Sequence, residues 1–404
     1  MYNLVYVDAV DAETKRVISY TRELIKAYRT VGDELRYNMA STFYMDAFGF
    51  VNFRVETACS CLLLVENKLV ADALGLSRSL FEHYLLFILM CRGRKLIKLE
   101  DLSSSGLTAA QFKAKLRERQ DEVAQARAAG RAVPLSVEQY QHTKQIMYVF
   151  EGVRDSEDPS YLIPIHYFSF QRFRPEVMRL EDEHYFQYYE RSQETKKAVK
   201  GFKAEAASQY RYYLSYDALL QNLKLNGVVT SGDIARIEAH YTFLGKTLHP
   251  THHAAQDLHE VSNVHATRPA VGDDQTYAPE ARLLTALYVC YIVHGLFEEV
   301  ARLLEEAPET YVKDPGTATL RKEMAHLSAV FPYFWFVFNE PPLYDKFNWC
   351  IYHATDDELK EWGHYSKAPG ERITFHQHIF SHFKSGLMEW NNARVGRYPS
   401  PIAR

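Results

Sequence analysis

The sequence predicts an all-α protein, a multi-helix bundle, on three observations. Apolar residues recur at helical spacing along most of the chain. Runs of alternating Val, Ile and Thr bounded by Asn-Gly or Asp-Gly turns are nearly absent. Hydrophobic residues make up 47% of the 404 positions and aromatics 14%, enough to build a large core and too much for a disordered chain.

In chain order, Asp11 to Met45 supplies one or two helices. Phe53 to Arg92 reads as one long helix, apolar on two opposite sides and therefore central, with Gly75 as the point where it would bend. After Ser103-Ser104-Ser105-Gly106, Thr108 to Ala129 is a charged amphipathic helix. Ser136 to Glu151 reads as its partner, the two forming an inserted helical hairpin. Arg154 to Pro175, with Asp158-Pro159, Ile163-Pro164 and many aromatics, reads as a loop-rich lid. Pro175 opens a helix to about Ser192, and Gln193 to Leu225 is another. Its Lys196, Lys197, Lys200 and Lys203 read as a solvated face.

Ser231-Gly232-Asp233 caps a helix to about Leu244, and Pro279 to Glu306 is strongly amphipathic. Thr317 to Phe338 ends in FPYFWFVF, where Pro332 stops or kinks it. Shorter helices are expected at Asp356 to Gly363 and Thr374 to Arg394. The division expected is a bundle core over residues 1–310, interrupted at about 101–175, and a small C-terminal helical subdomain over 311–404.

A formal charge of −4 offers no global attraction to nucleic acid or anionic membranes, so any RNA contact would be local. Cys59, Cys61, Cys91, Cys290 and Cys350 form no C-x-x-C motif and no paired framework, which fits reduced thiols in a cytoplasmic protein. The acidic start MYNLVYVDAVDAETKR lacks the pattern of a secretory signal. The most apolar strings, Leu85 to Cys91 and Ala286 to Phe297, are short and flanked by charge, so no membrane association is expected.

Within the long apolar stretch lie Arg78, Glu82 and His83. Arg78 and Glu82 have the i,i+4 spacing of an ion pair, and its expected burial would make loss of either partner cost about 3 to 5 kcal/mol. Arg78-Ser-Leu-Phe-Glu-His83 has the form R-x4-H and resembles the motif of HEPN ribonucleases, helical domains of bacterial toxins and phage-defence proteins. That resemblance implies a His in acid-base steps, an Arg on the phosphate, no metal, and a dimer. R-x4–6-H spacings also occur at Arg179/His184, Arg321/His326 and Arg372/His378, about the number that chance frequencies give. Five residues at about 100° each put Arg78 and His83 about 140° apart on a straight helix, so they would converge only through a bend or across a dimer.

The string LGLSRSLFEHYLLFILM, followed by HYTFLGKTLHPT at His240 to Thr251, also resembles a family of bacterial helical proteins. There an R-S-L-x-E helix meets a distant Y-x-x-L-[SG]-x-x-x-H-P segment. The resemblance covers roughly residues 50–95 and 195–300. It implies that Arg78, Glu82, Tyr241 and His249 lie together.

His249/His253 and His378/His382 have a spacing that can present two imidazoles to a metal, but no H-E-x-x-H or Cys pair accompanies them, so neither metal nor cofactor is expected. Gly245-Lys246-Thr247 lacks the first glycine of a phosphate loop, and no G-x-G-x-x-G, G-x-S-x-G or kinase motif occurs. The leading expectation is a HEPN-like, metal-independent RNase or toxin-like effector of phage defence, acting on RNA, with Arg78, His83, Glu82, His249 and Tyr241 as its site. The alternative is a non-catalytic interaction subunit of the same fold, working as a homodimer or with a protein partner. A metal-dependent hydrolase is the third reading.

Overall fold

The structure is a computed structural model. It describes residues 4–37, 42–92, 97–129, 136–141, 144–150, 153–154, 161–165, 169–174, 179–180, 192–201, 216–248, 258, 276–307, 309, 312–330, 343–373 and 377–392. It is an all-α multi-helix bundle carrying a smaller inserted unit.

Helix α1 (Leu4–Glu34) buries Val10, Thr14, Val17, Thr21, Leu24, Tyr28 and Val31, alternately four and three residues apart, the period of one helical face. Its two buried threonines donate back to Val10 and Val17, so neither hydroxyl is orphaned. Strand β1 (Arg36–Tyr37) follows, and then α2 (Thr42–Glu66) and α3 (Val70–Arg92).

The expected single helix over Phe53–Arg92 is thus two helices, which pack against each other and reverse at Asn67-Lys68-Leu69. Lys68 has φ 65°. Its N–H donates to Val65 O at 3.1 Å, and that of Leu69 to Leu64 O at 2.8 Å. This is the paired bonding of a Schellman stop, here with lysine where glycine is usual. The chain turns there and not at Gly75.

The insertion differs from the expected helical hairpin. After β2 (Ile97–Asp101), helix α4 (Ala109–Ala128) forms as expected and is opened by reciprocal Thr108–Gln111 capping bonds. Ser136–Glu151 is not helical: β3 (Ser136–Gln141) and β4 (Lys144–Phe150) pair with β2 in an antiparallel sheet ordered β2-β4-β3. The sheet and α4 share a small core of Phe112, Leu116, Val123, Val137 and Met147. Short apolar runs such as KQIMYVF fit either period, and here pairing along β4 decides.

The expected loop-rich lid is a second antiparallel sheet, β5 (Val153–Arg154), β6 (Tyr161–Ile165), β7 (Ser169–Arg174) and β8 (Arg179–Leu180), in that order. β8 lies inside the helix expected from Pro175, and residues 181–191 are outside the described residues.

Helix α5 (193–201) and α6 (Tyr216–Leu225) occupy the ends of the helix expected over Gln193–Leu225, and residues 202–215 lie outside the described set. Lys196, Lys197 and Lys200 are exposed. Helix α7 (Ser231–Lys246) starts from a Thr230–Asp233 capping box. Helix α8 (Pro279–Glu305) is buried on nearly every face and packs against α1, α2 and α3.

Beyond it come β9 (Val312–Asp314), α9 (Ala318–Val330), α10 (Leu343–His353), α11 (Asp356–Trp362) and α12 (Ile379–Asn392). β9 pairs with β1, and α8 also packs against α9 and α12. Pro332 and the aromatic run around it lie outside the described residues. α10 was not anticipated. Its buried Phe347 and Cys350 join the same contiguous core as α8, as do Phe383 and Leu387 of α12.

Three helices, Ala47–Glu66, Val70–Arg92 and Pro279–Glu305, are long and apolar enough to cross a membrane by length and composition. The short-string reading of the sequence understated this. Two of these segments are 72% and 83% buried within the bundle, whereas the first is only 33% buried.

Ion pairs tie the helix ends. Glu299, buried on α8, accepts from Arg92 at the end of α3 and from Arg302, and Arg302 also donates to the Cys91 carbonyl. Arg282 pairs with Asp11 at 2.8 Å, and Arg321 with Glu298 and Glu305 at 2.6 Å each.

The α3–α8 contact depends on Gly295, because a Cβ there would collide with the Tyr84 ring. Gly295→Ala is therefore expected to cost about 1 to 3 kcal/mol through overpacking, although alanine is the better helix former by about 1 kcal/mol. Urea unfolding would measure it. An unchanged or raised midpoint would contradict the close packing.

Candidate functional site

Along α3, Ala71, Gly75, Arg78 and Glu82 form one stripe, and α7 packs against this helix. At Gly75 the approach is close, since a Cβ would meet Leu248 Cδ2 at 3.1 Å. One turn further, the Arg78 guanidinium occupies the space beside Gly245, where a Cβ would be 2.8 Å from Nη1.

Arg78 makes three contacts. Nε donates to Glu82 Oε1 at 3.2 Å, Nη2 donates to Tyr241 Oη at 2.5 Å, and Cζ lies 4.2 Å from the Tyr241 ring centroid. Tyr216 of α6 stacks on the same ring at 3.4 Å and 9°. Tyr216 was missed by sequence reasoning, and only its aromatic character near a helix start could have pointed to it. Burial works against the charge of Arg78, but the bonds to Tyr241 and Glu82 outweigh it and raise its pKa. Burial, then the nearby Glu82 charge, raise the Tyr241 pKa and keep the phenol protonated.

The structure therefore brings together Arg78, Glu82 and Tyr241, as the family resemblance implies. His249 lies outside the described residues. The pair is not the buried bridge expected: the Arg78 side chain is 18% exposed and that of Glu82 43%.

His83 faces elsewhere. Its ring packs 4.1 Å from Phe50 of α2 and 6.4 Å from Phe53. α3 is unbroken between residues 78 and 83, so the helical turn separates the two side chains. Burial, and secondarily the charge of Arg54, push the His83 pKa down to about 3, so the imidazole is neutral near pH 7. Arg54 donates to Ser79 Oγ at 3.1 Å and lies 4.7 Å from the Phe53 ring centroid. Burial lowers its pKa and the Glu82 charge opposes this, so Glu82 interacts with both guanidiniums.

Exposed large apolar side chains alternate here with exposed Asn52, Glu56 and Ser60 of α2. Phe53 is 59% exposed, Leu63 55%, Leu76 37% and Leu248 52%. At about 100° per residue, Leu80 and Phe87 lie within about 40° of Leu76 on the helix. Those two are buried, while Leu76 lies on the open side.

The other R-x4–6-H spacings have structural partners where described. Arg321 pairs with glutamates of α8 while His326 packs on Tyr20, and Arg372 pairs with Glu358. His184 lies outside the described residues. His240 is a core residue hydrogen-bonded to Tyr288 Oη at 2.6 Å, its pKa lowered to about 3 by burial and then by Arg236. His382 bonds to buried Asp345. Among the described residues no group of three His, Cys, Asp or Glu is placed to hold a metal. His253 lies outside them.

Chemically, the arrangement offers two guanidiniums bracketing one carboxylate, with a neutral histidine beside the second guanidinium. This can bind a carboxylate or phosphate. His83 has already lost its proton near pH 7 and is therefore not a proton donor there. In comparison with known protein families, characterised proteins and solved structures, the chain matches none. The two resemblances thus rest on their short motifs alone.

Two outcomes follow. Glu82→Gln should change unfolding free energy by no more than about 1 kcal/mol, as for a half-exposed pair. A loss of several kcal/mol in a urea titration would restore the buried-bridge reading. The His83 ring proton signals in an NMR titration should stay at the neutral position from pH 8 to 5. The folded pKa lies below the ordinary 6.5, so this contribution to stability is complete above about that pH and is lost as pH falls toward 3. A midpoint near 6.5 would overturn the assignment.

Proposed function

We propose that this protein is a non-catalytic helical interaction subunit that docks a protein partner on the outward face of α2 and α3. The observation that carries this reading is α2 itself. It is apolar enough by composition to cross a bilayer, yet only a third of that segment is buried, and Phe53 and Leu63 project from it. Contiguous exposed apolar surface with a polar rim is the mark of an interaction site. Arginine and aromatic anchors, here Arg54, Arg78 and Tyr241, are the residues that most often carry binding energy. Both signs of charge lie on this strip, Arg54 and Arg78 against Glu56 and Glu82, so a partner segment would be held by mixed polar contacts around apolar ones.

The ribonuclease reading draws less support. It needs Arg78 and His83 to act on one phosphate, whereas here Arg78 is held by Tyr241 and Glu82 and His83 is wedged against Phe50. Exposed leucines also suit a protein surface better than a phosphate backbone. A setting in the bacterial cytoplasm or in phage defence rests on the motifs and composition alone.

The test places a photo-crosslinking amino acid at Leu76 in the full chain, expressed in its native cells. The expected result is an adduct with a defined protein, at least tenfold weaker when Arg54→Glu is added. Purified protein should leave RNA intact in the presence of EDTA. RNA adducts, or cleavage abolished by His83→Ala with the fold intact, would overturn this reading in favour of a nuclease.

A further inference from the structure

Helix α7 has a third face that neither the bundle nor Arg78 uses. Ile237, His240 and Leu244 point into the core, and Tyr241 and Gly245 hold Arg78. Glu238, Thr242 and Lys246, each four residues apart, form a separate stripe. This stripe lines a cavity of about 400 Å³, closed opposite by residues 377–381 at the start of α12. Its apolar lining includes Ala239, Leu258 and Phe380, all less than 9% exposed. The volume lies in the range of small-molecule pockets, and polar side chains line it as fully as apolar ones, which suits a ligand that has both an apolar and a polar part.

The polar groups give the cavity a direction. Glu238 and Lys246 are eight residues apart, about 12 Å along the helix axis at 1.5 Å per residue. Thr242 lies between them, and His378 adds a ring nitrogen from the opposite wall. Among the described residues Lys246 makes no ion pair. An anionic head group is attracted to the Lys246 end, so a ligand lying along α7 would be bound in one orientation.

We propose that this cavity binds an amphipathic anion, an apolar body laid over Ala239 and Phe380 with a carboxylate or similar head paired to Lys246. The site is separate from the α2–α3 surface, and its fate does not depend on the function proposed above. The probe is 8-anilinonaphthalene-1-sulfonate, an apolar ring system with one anionic head, compared with uncharged N-phenyl-1-naphthylamine. Lys246 and Thr242 are both exposed, so changing them leaves the core intact.

The wild-type chain should bind the sulfonate saturably at one site, seen as fluorescence enhancement, and octanoate should displace it while octanol does not. Lys246→Ala should weaken the sulfonate about tenfold or more, as for loss of a charge-assisted bond, and leave the uncharged compound within twofold. Thr242→Trp, which fills the cavity from its rim, should abolish binding of both. Lys197→Ala, on the exposed face of α5, should change neither. Sulfonate binding that survives Thr242→Trp would place the dye elsewhere and overturn the proposal. So would equal losses for both compounds in Lys246→Ala, or no saturable binding by the wild type.

Discussion

The reversal at Lys68 is the constraint on which the rest of the site depends. The forty residues from Phe53 to Arg92 in one helix would span about 60 Å and could not be covered by a bundle of this size. Folded back by a left-handed lysine, they become two antiparallel helices, one buried and one half-open. Because of that reversal Phe50 lies across His83, and Arg54 reaches Ser79. The environment that strips His83 of its proton is made by α2, which in an unbroken helix would lie far away.

Two glycines do related work on the other faces of α3. Gly295 lets the Tyr84 ring lie against α8, and Gly245 leaves a place on α7 for the Arg78 guanidinium. In each case a missing side chain lets a large one from α3 fill the groove, which fixes how α7 and α8 lie against α3. The Arg78–Tyr241–Tyr216 stack is then as much a mechanical joint as a binding surface, because it ties α3, α7 and α6 through one cation and two rings. Glu299 and its two arginines fix the opposite end of α3 in the same manner.

Much of the bundle was legible in the sequence, and the exceptions have physical reasons. α8 announces itself by its amphipathic run from Pro279, and α7 by Ser231-Gly232-Asp233, although the cap itself is one residue earlier, at Thr230 with Asp233. The stop at Lys68 was invisible because no glycine marks it. The inserted strands were misread because short apolar runs carry no period long enough to separate helix from sheet, and the pairing of β4 with the distant β2 on one side and with β3 on the other decided them. In the site, Arg78 and Glu82 were marked by their i,i+4 spacing, and Tyr241 only by what the family resemblance implies. Their exposure was not, since which side of a helix is covered depends on neighbours distant in the chain. The isolation of His83 from Arg78 follows from helical rotation alone. Its neutral state comes from Phe50 and Arg54, which spacing could not place beside it.

The insertion has a core of its own, distinct from that of the bundle. Phe112, Leu116 and Val123 of α4 meet Val137 and Met147 of the sheet without borrowing from α8. Such a unit can open and close while the bundle stays intact, so heat or denaturant would trace two events instead of one cooperative transition. Amide exchange across residues 97–150 would then run on a clock separate from that of α8. Among the described residues the two cores share no member, so a single melting temperature for the whole chain would average two bodies.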